Sequence, residues 1–146
     1  MKILQVKAGD MLFCDDIRME VLWPSPPFQS KADDNSLVLR YGDLLFLSDL
    51  PEKLESKVPV TDPVTVVRGA GSRECFSEPL LASTRRVIFS SSDADRDDLI
   101  LSSTLDRLRD RGAEVWVTGL HGAVSLLHGP EGWVVRPLHS VPEPRQ

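Results

Sequence analysis

The stretch from Asp33 to Asp49, DDNSLVLRYGDLLFLSD, constrains the fold more than any other part of the chain. Two apolar runs, Ser36 to Tyr41 and Leu44 to Leu47, flank Gly42-Asp43, a turn signal that lets the chain reverse between two strands. The pattern predicts a β-hairpin. Its second run is almost entirely Leu and Phe, which predicts an inner strand buried on both faces. That strand runs directly into a carboxylate, Asp49, and a buried strand ending in an acid is a common way to place a metal ligand or a catalytic group.

Around this hairpin the chain alternates short elements. Ile3 to Val6, Met11 to Cys14 and Met19 to Trp23 read as strands, punctuated by Ala8-Gly9-Asp10 and Asp15-Asp16. Trp23-Pro24-Ser25-Pro26-Pro27 ends that unit, because proline cannot continue a ladder, and Phe28 to Asp34 reads as a loop. Beyond the hairpin, Pro51 can open a short helix with Leu54 and Val58 four apart. Pro63 to Val67 reads as a strand leading into a glycine-rich loop, Arg68-Gly69-Ala70-Gly71-Ser72. Ser77 to Ala82 reads as one or two helical turns with Ser77 as N-cap, and Val87 to Phe89 as a buried strand before a polar loop from Ser90 to Asp98.

The clearest helix covers about Leu99 to Arg111, with Leu101, Leu105 and Leu108 on one face and Gly112 to end it. Glu114 to Thr118, Ala123 to Leu127 and Gly132 to Arg136 then close the chain as a meander, followed by a tail of prolines and charges. The order predicts a layered α/β domain with a mixed sheet and flanking helices: one domain over residues 1–138, with 139–146 as tail. At 146 residues the chain is long enough to bury a core of its own.

A net charge of −5 argues against broad attraction to nucleic acid or anionic membrane, although it leaves room for a local basic patch. No run approaches the roughly 20 apolar residues of a membrane span. The N-terminus lacks the apolar core of a signal peptide, so a soluble cytoplasmic protein is expected. Cys14 and Cys75 are too far apart for a paired metal motif and read as free buried thiols, with one disulfide as the alternative.

Several segments in order resemble the metallo-β-lactamase-like domain of ComEC-type competence proteins. Met19-Glu20-Val21-Leu22-Trp23-Pro24 is similar to the family's strand-then-proline entry, and Asn35-Ser36-Leu37-Val38-Leu39 to its Asn-Ser-Leu-Val-Leu hairpin. Gly112-Ala113-Glu114-Val115-Trp116-Val117-Thr118 resembles its closing Gly-Ala-x-Val-Tyr-x-Thr segment, and Gly122-Ala123-Val124 its last turn into strand. The resemblance implies the C-terminal half of an αββα sandwich, with a function related to competence.

The metal site that the resemblance implies is degenerate. The family's His-x-His-x-Asp-His cluster has no counterpart in this sequence and would precede the matched region. Its His-His-Gly-Ser loop falls on Gly69-Ala70-Gly71-Ser72, without an imidazole, and its Gly-His-Pro motif falls near Asp95 to Ile100, where no histidine stands. Its Thr-Gly-Asp motif reads Leu47-Ser48-Asp49, leaving Asp49 as the former ligand position. A lone carboxylate cannot supply the three or four ligands zinc needs, so no metal, no cofactor and no catalytic residue is expected.

Other clusters read as ordinary surface. His121, His128 and His139 fall on turns or tail. Asp93, Asp95, Asp97 and Asp98 lack the glycine and distal Glu of a calcium loop. Ser72 and Ser90 to Ser92 have no histidine at a useful spacing for a nucleophile.

Arg68 and Arg73, with the backbone of Gly69, Gly71 and Ser72, form a candidate anion site. One of the two arginines is also expected to pair with Asp49 in place of the lost metal charge. The favoured reading is a non-catalytic structural or interaction module, a homo-oligomer or a component bound to a partner chain. A hydrolase or nuclease completed in trans, with a second chain supplying histidines, is the first alternative. A weak anion or nucleic-acid binder using Arg68, Arg73, Arg85 and Arg86 is the second.

Overall fold

The computed structural model describes residues 4–69, 76–91 and 99–139. One seven-stranded sheet organises them: β1 (Met11–Cys14), β2 (Ile17–Trp23), β3 (Val38–Tyr41), β4 (Leu44–Leu47), β5 (Val64–Gly69), β6 (Thr84–Ser90) and β7 (Glu114–Val117), lying side by side in chain order. The first four strands pair antiparallel, and β4 to β7 pair parallel. The architecture is therefore mixed α/β, as the alternation of elements implied.

Each parallel step needs a crossover, supplied by α1 (Glu52–Glu55), α2 (Glu78–Ser83) and α3 (Leu99–Asp110). Because β4 to β7 advance across the sheet in one direction, right-handed crossovers put all three helices on the same face. Their apolar residues Leu54, Leu80, Leu81, Leu105 and Leu108 join Leu45, Leu47, Val66, Val87, Phe89 and Val117 of the strands in one buried core. Gly112 ends α3 at a φ of 77°, a left-handed conformation that glycine adopts without steric cost. Its N–H donates to Arg109 O at 2.8 Å.

The strand pair β8 (Val124–Gly129) and β9 (Gly132–Pro137) forms a second, two-stranded sheet. It does not extend β7 as a meander. The residues expected to form a turn, Gly119 to Gly122, belong instead largely to a single helical turn, α4 (Thr118–His121), which redirects the chain away from the β7 edge. The hairpin lies on the sheet face opposite the helices. There Trp133 packs edge-on against Tyr41 at 6.0 Å between ring centroids, and Arg86 Nη1 donates to Trp133 O at 2.7 Å.

Other elements differ from expectation in extent. Leu4 to Lys7 join no ladder, and Ile3 lies outside the described residues. The loop before the hairpin contains a 3-10 turn at Asp33–Asn35. The strands β2, β5 and β6 extend beyond the apolar runs that signalled them, because pairing with a neighbour on each side carries polar positions into the ladder. Arg68 and Gly69 therefore belong to β5 rather than to a loop.

Ser77 stands at the N-cap of α2, but its hydroxyl makes no capping bond. Cys14 is a free thiol, exposed rather than buried, and Cys75 lies outside the described residues. No described helix is long and apolar enough to cross a membrane.

Candidate functional site

The carboxyl ends of the parallel strands are where open α/β sheets place ligands, since the loops that leave them diverge there. This edge gathers Ser48 and Asp49 beyond β4, Arg68 and Gly69 at the end of β5, Ser90 and Ser91 at the end of β6, and Thr118 beyond β7. Gly71, Ser72 and Arg73 of the candidate anion site, and Asp95, Asp97 and Asp98, lie outside the described residues.

Asp49 is exposed two residues past the end of β4. The carboxylate that Arg68 meets is Glu55, not Asp49. Arg68 Nη1 donates to Glu55 Oε1 at 2.5 Å, with the two residues only 4% and 1% exposed. The second oxygen, Oε2, accepts the backbone N–H of Ser77 at 2.8 Å.

The Arg68 guanidinium also lies over the Phe76 ring at 5.6 Å, and that ring meets Phe89 edge-on at 5.8 Å. Charge-assisted bonds of this kind satisfy ions that burial would otherwise penalise heavily. Glu55 thus ties α1 to the end of β5 and to the start of α2. The expectation that Arg68 pairs with Asp49 is corrected, and the other candidate for that pairing, Arg73, lies outside the described residues. The available signal was that Glu55 follows the core residue Leu54 within a helix of one turn.

Along the same edge, Ser91 and Thr118 bond to each other. Thr118 Oγ1 accepts Ser91 N–H at 2.9 Å and donates to Ser91 O at 3.0 Å, and Gly119 N donates to Ser91 Oγ at 3.4 Å. These contacts join the ends of β6 and β7 and employ the hydroxyls structurally. His121 is not a solvated turn residue either. Its Nδ1 accepts the Val117 N–H at 3.0 Å, and its ring packs edge-on against Trp116 at 5.2 Å. His128 lies in β8, its ring 5.0 Å from that of Trp133.

Among the described residues no three His, Cys, Asp or Glu side chains come together as metal donors. At the described positions that match the family's ligand motifs, the donor set is the single carboxylate of Asp49. It does not fit a zinc ion, which takes four tetrahedral ligands.

The opposite face of the sheet is the second distinctive surface. Cross-strand pairing lines up Val21, Leu39, Phe46, Val67, Ile88 and Trp116 as one apolar row across six strands. Val21 and Ile88 are buried and Leu39, Val67 and Trp116 half-buried, whereas Phe46 is 36% exposed in the middle of an inner strand. The expectation that β4 is buried on both faces thus holds at Leu44, Leu45 and Leu47 and fails at Phe46. The next row, Tyr41, Leu44, Thr65 and Arg86, lies beneath the β8–β9 hairpin, with Leu44 and Thr65 buried.

Phe46 is therefore the most exposed member of the apolar row from Val21 to Trp116. The outer face of the hairpin carries a further apolar pair, Leu127 opposite Val134, 44% and 47% exposed. Comparison with protein-family models, with curated proteins and with solved structures returned no match.

Proposed function

We propose that this protein is a non-catalytic, metal-free relative of the ComEC-type metallo-β-lactamase-like domain, corresponding to its C-terminal half and acting as an interaction module. The observation that carries the reading is Phe46. An inner strand of a seven-stranded sheet presents a phenylalanine, 36% exposed, within an apolar row on the side opposite α1 to α3. A sheet normally buries both faces of such a strand. The layer that would finish the job belongs to another polypeptide chain, and in the resembled αββα sandwich a second sheet occupies that place.

The chemistry of the strand ends supports the same reading. Arg68, Ser91, Thr118 and His121 are occupied by structural partners, and hydrolysis needs a nucleophile or metal-activated water that they do not provide. The purified chain should hold no stoichiometric zinc or manganese and should not cleave DNA or a phosphodiester reporter. One equivalent of tightly bound metal by elemental analysis, lost on Asp49→Ala, would overturn the reading.

One observation favours a second reading, an enzyme completed in trans. Asp49 is exposed at the ligand edge, and no ion pair ties it to another described residue. A partner chain carrying histidines could meet it there. Metal binding that appears only in the mixture of both chains, and is lost with Asp49→Asn, would select this reading.

A further inference from the structure

We propose that the helix-side face of β1 to β3 binds a small dipolar ligand of the α-amino acid class. Arg18 and Arg40 hold its carboxylate and Glu20 its ammonium group. The site lies on the face opposite Phe46 and is independent of the interaction-module reading.

One cross-strand row runs the width of the main sheet: Met11, Glu20, Arg40, Leu45, Val66, Val87 and Val115. Leu45, Val66 and Val87 are fully buried beneath the crossover helices, which connect β4 to β7. From β3 outward the same row turns charged. There the face opens into a cavity of about 410 Å³ lined by Met11, Arg18, Glu20, Arg40 and Gly42. Small-molecule clefts commonly enclose about 300–1,000 Å³. Alternation along β2 puts Arg18, two residues before Glu20, on the same face.

The charges around this cavity are held apart. Arg40 Nε donates to Gly42 O at 2.8 Å, and its Nη2 lies 3.5 Å from Asp62 Oδ2. The Arg18 guanidinium lies over the Phe13 ring at 5.9 Å. Glu20 neighbours Arg40 across the strands and Arg18 along β2, yet it forms an ion pair with neither, nor with any other described residue. Two guanidinium groups and one carboxylate therefore line one space without neutralising one another.

A simple anion would pair with the arginines but stand against Glu20, and a simple cation would do the reverse. A ligand carrying both groups satisfies all three charges at once. Guanidinium suits bidentate pairing with a carboxylate, and the Glu20 carboxylate accepts from an ammonium group. Met11 supplies an adaptable apolar wall for the rest of the ligand. Because the cavity opens to solvent, each pair is screened, and a dissociation constant of roughly 1 mM is expected.

Amide NMR on the full chain tests this with three probes of one shape: L-leucine, isocaproate without the ammonium group, and isoamylamine without the carboxylate. L-leucine should give saturable shifts at Met11, Arg18, Glu20 and Arg40 and bind at least about fivefold more tightly than either analogue. Glu20→Gln should abolish the preference for L-leucine over isocaproate, whereas Arg18→Gln and Arg40→Gln should weaken both acids. Circular dichroism melts check that the variants are folded. Should Arg40→Gln unfold the chain, the exposed Arg18 and Glu20 positions decide. The absence of saturable shifts overturns the proposal. So does isocaproate binding as tightly as L-leucine, which would mark a site for anions alone, or a leucine preference that survives Glu20→Gln.

Discussion

The two faces of the seven-stranded sheet solve the same burial problem differently. On the helix side, Leu45, Leu47, Val66, Val87 and Phe89 are each at most 2% exposed, and the charged groups that enter the layer, Arg68 and Glu55, do so as a bonded pair. On the other side a two-stranded hairpin covers Leu44 and Thr65 but stops short of Phe46. Over β4 to β7 the first face is closed among the described residues, whereas the second leaves Phe46 36% exposed. Side chains on the closed face should therefore matter to stability and those on the other to association. The substitutions that follow test that division.

The largest effect is expected at Glu55. Glu55→Ala leaves the buried Arg68 guanidinium without its counter-charge and the Ser77 N–H without an acceptor. A loss of about 3–5 kcal/mol in chemical denaturation is expected. Arg68→Ala should lose a similar amount, and the double variant much less than the sum, since neither charge then remains buried alone. Additive losses would show that the two side chains do not act as a pair.

Trp133→Ala tests whether the hairpin is a real layer on the second face. It removes the ring that packs on Tyr41 and uncovers the row containing Leu44 and Thr65. For a half-buried aromatic the expected loss is about 2 kcal/mol. It should be accompanied by faster amide exchange in β8 and β9 than in β4 to β7. Uniform exchange across both sheets would mean that the hairpin and the main sheet unfold as one unit.

Asp49→Ala should change stability by less than about 0.5 kcal/mol, because the carboxylate is exposed and removing it leaves no partner among the described residues buried alone. Set beside Glu55→Ala, it separates two acids near the ends of neighbouring elements, one exposed and one built into the core. A loss at Asp49 comparable to that at Glu55 would contradict this division.

These particulars show what was legible in the sequence. The β3–β4 hairpin was, because Gly42-Asp43 is a local signal and Gly42 takes a φ of 60° at the turn. So was α3, whose apolar spacing and terminal Gly112 are equally local. The seating of β8–β9 was not, because strand periodicity says which residues share a face and nothing about the sheet they join.

The partner of Arg68 was not legible either. The resemblance directed attention to Asp49, while the pairing with Glu55 depends on α1 crossing over the end of β5, a tertiary fact. Exposure of Phe46 was concealed by composition, since an all-apolar strand reads as buried whether or not something covers it. Of the candidate site, the sequence supplied the positions of the strand ends but not which side chains are held in the core.

The smallest effect concerns a turn outside either face. Asp10 closes the loop before β1. Its Oδ2 accepts the Lys7 backbone N–H at 2.9 Å, and its Oδ1 meets Lys7 Nζ at 3.0 Å. The backbone bond, reinforced by the ammonium, holds the Asp10 carboxyl below its ordinary value. A carboxylate whose folded pKa is depressed contributes its stability above the unfolded value, and that contribution fades as pH falls through the folded one. The turn should therefore be intact at neutral pH and loosen only below the ordinary aspartate range. Solvent surrounds the group, so the change in global stability should be slight. Carboxyl-carbon NMR should place the Asp10 midpoint below those of unpaired aspartates, and Lys7→Met should move it part of the way back, leaving the backbone share. An Asp10 that titrates with the other exposed acids would show that the turn gives its carboxylate no preference for the charged form.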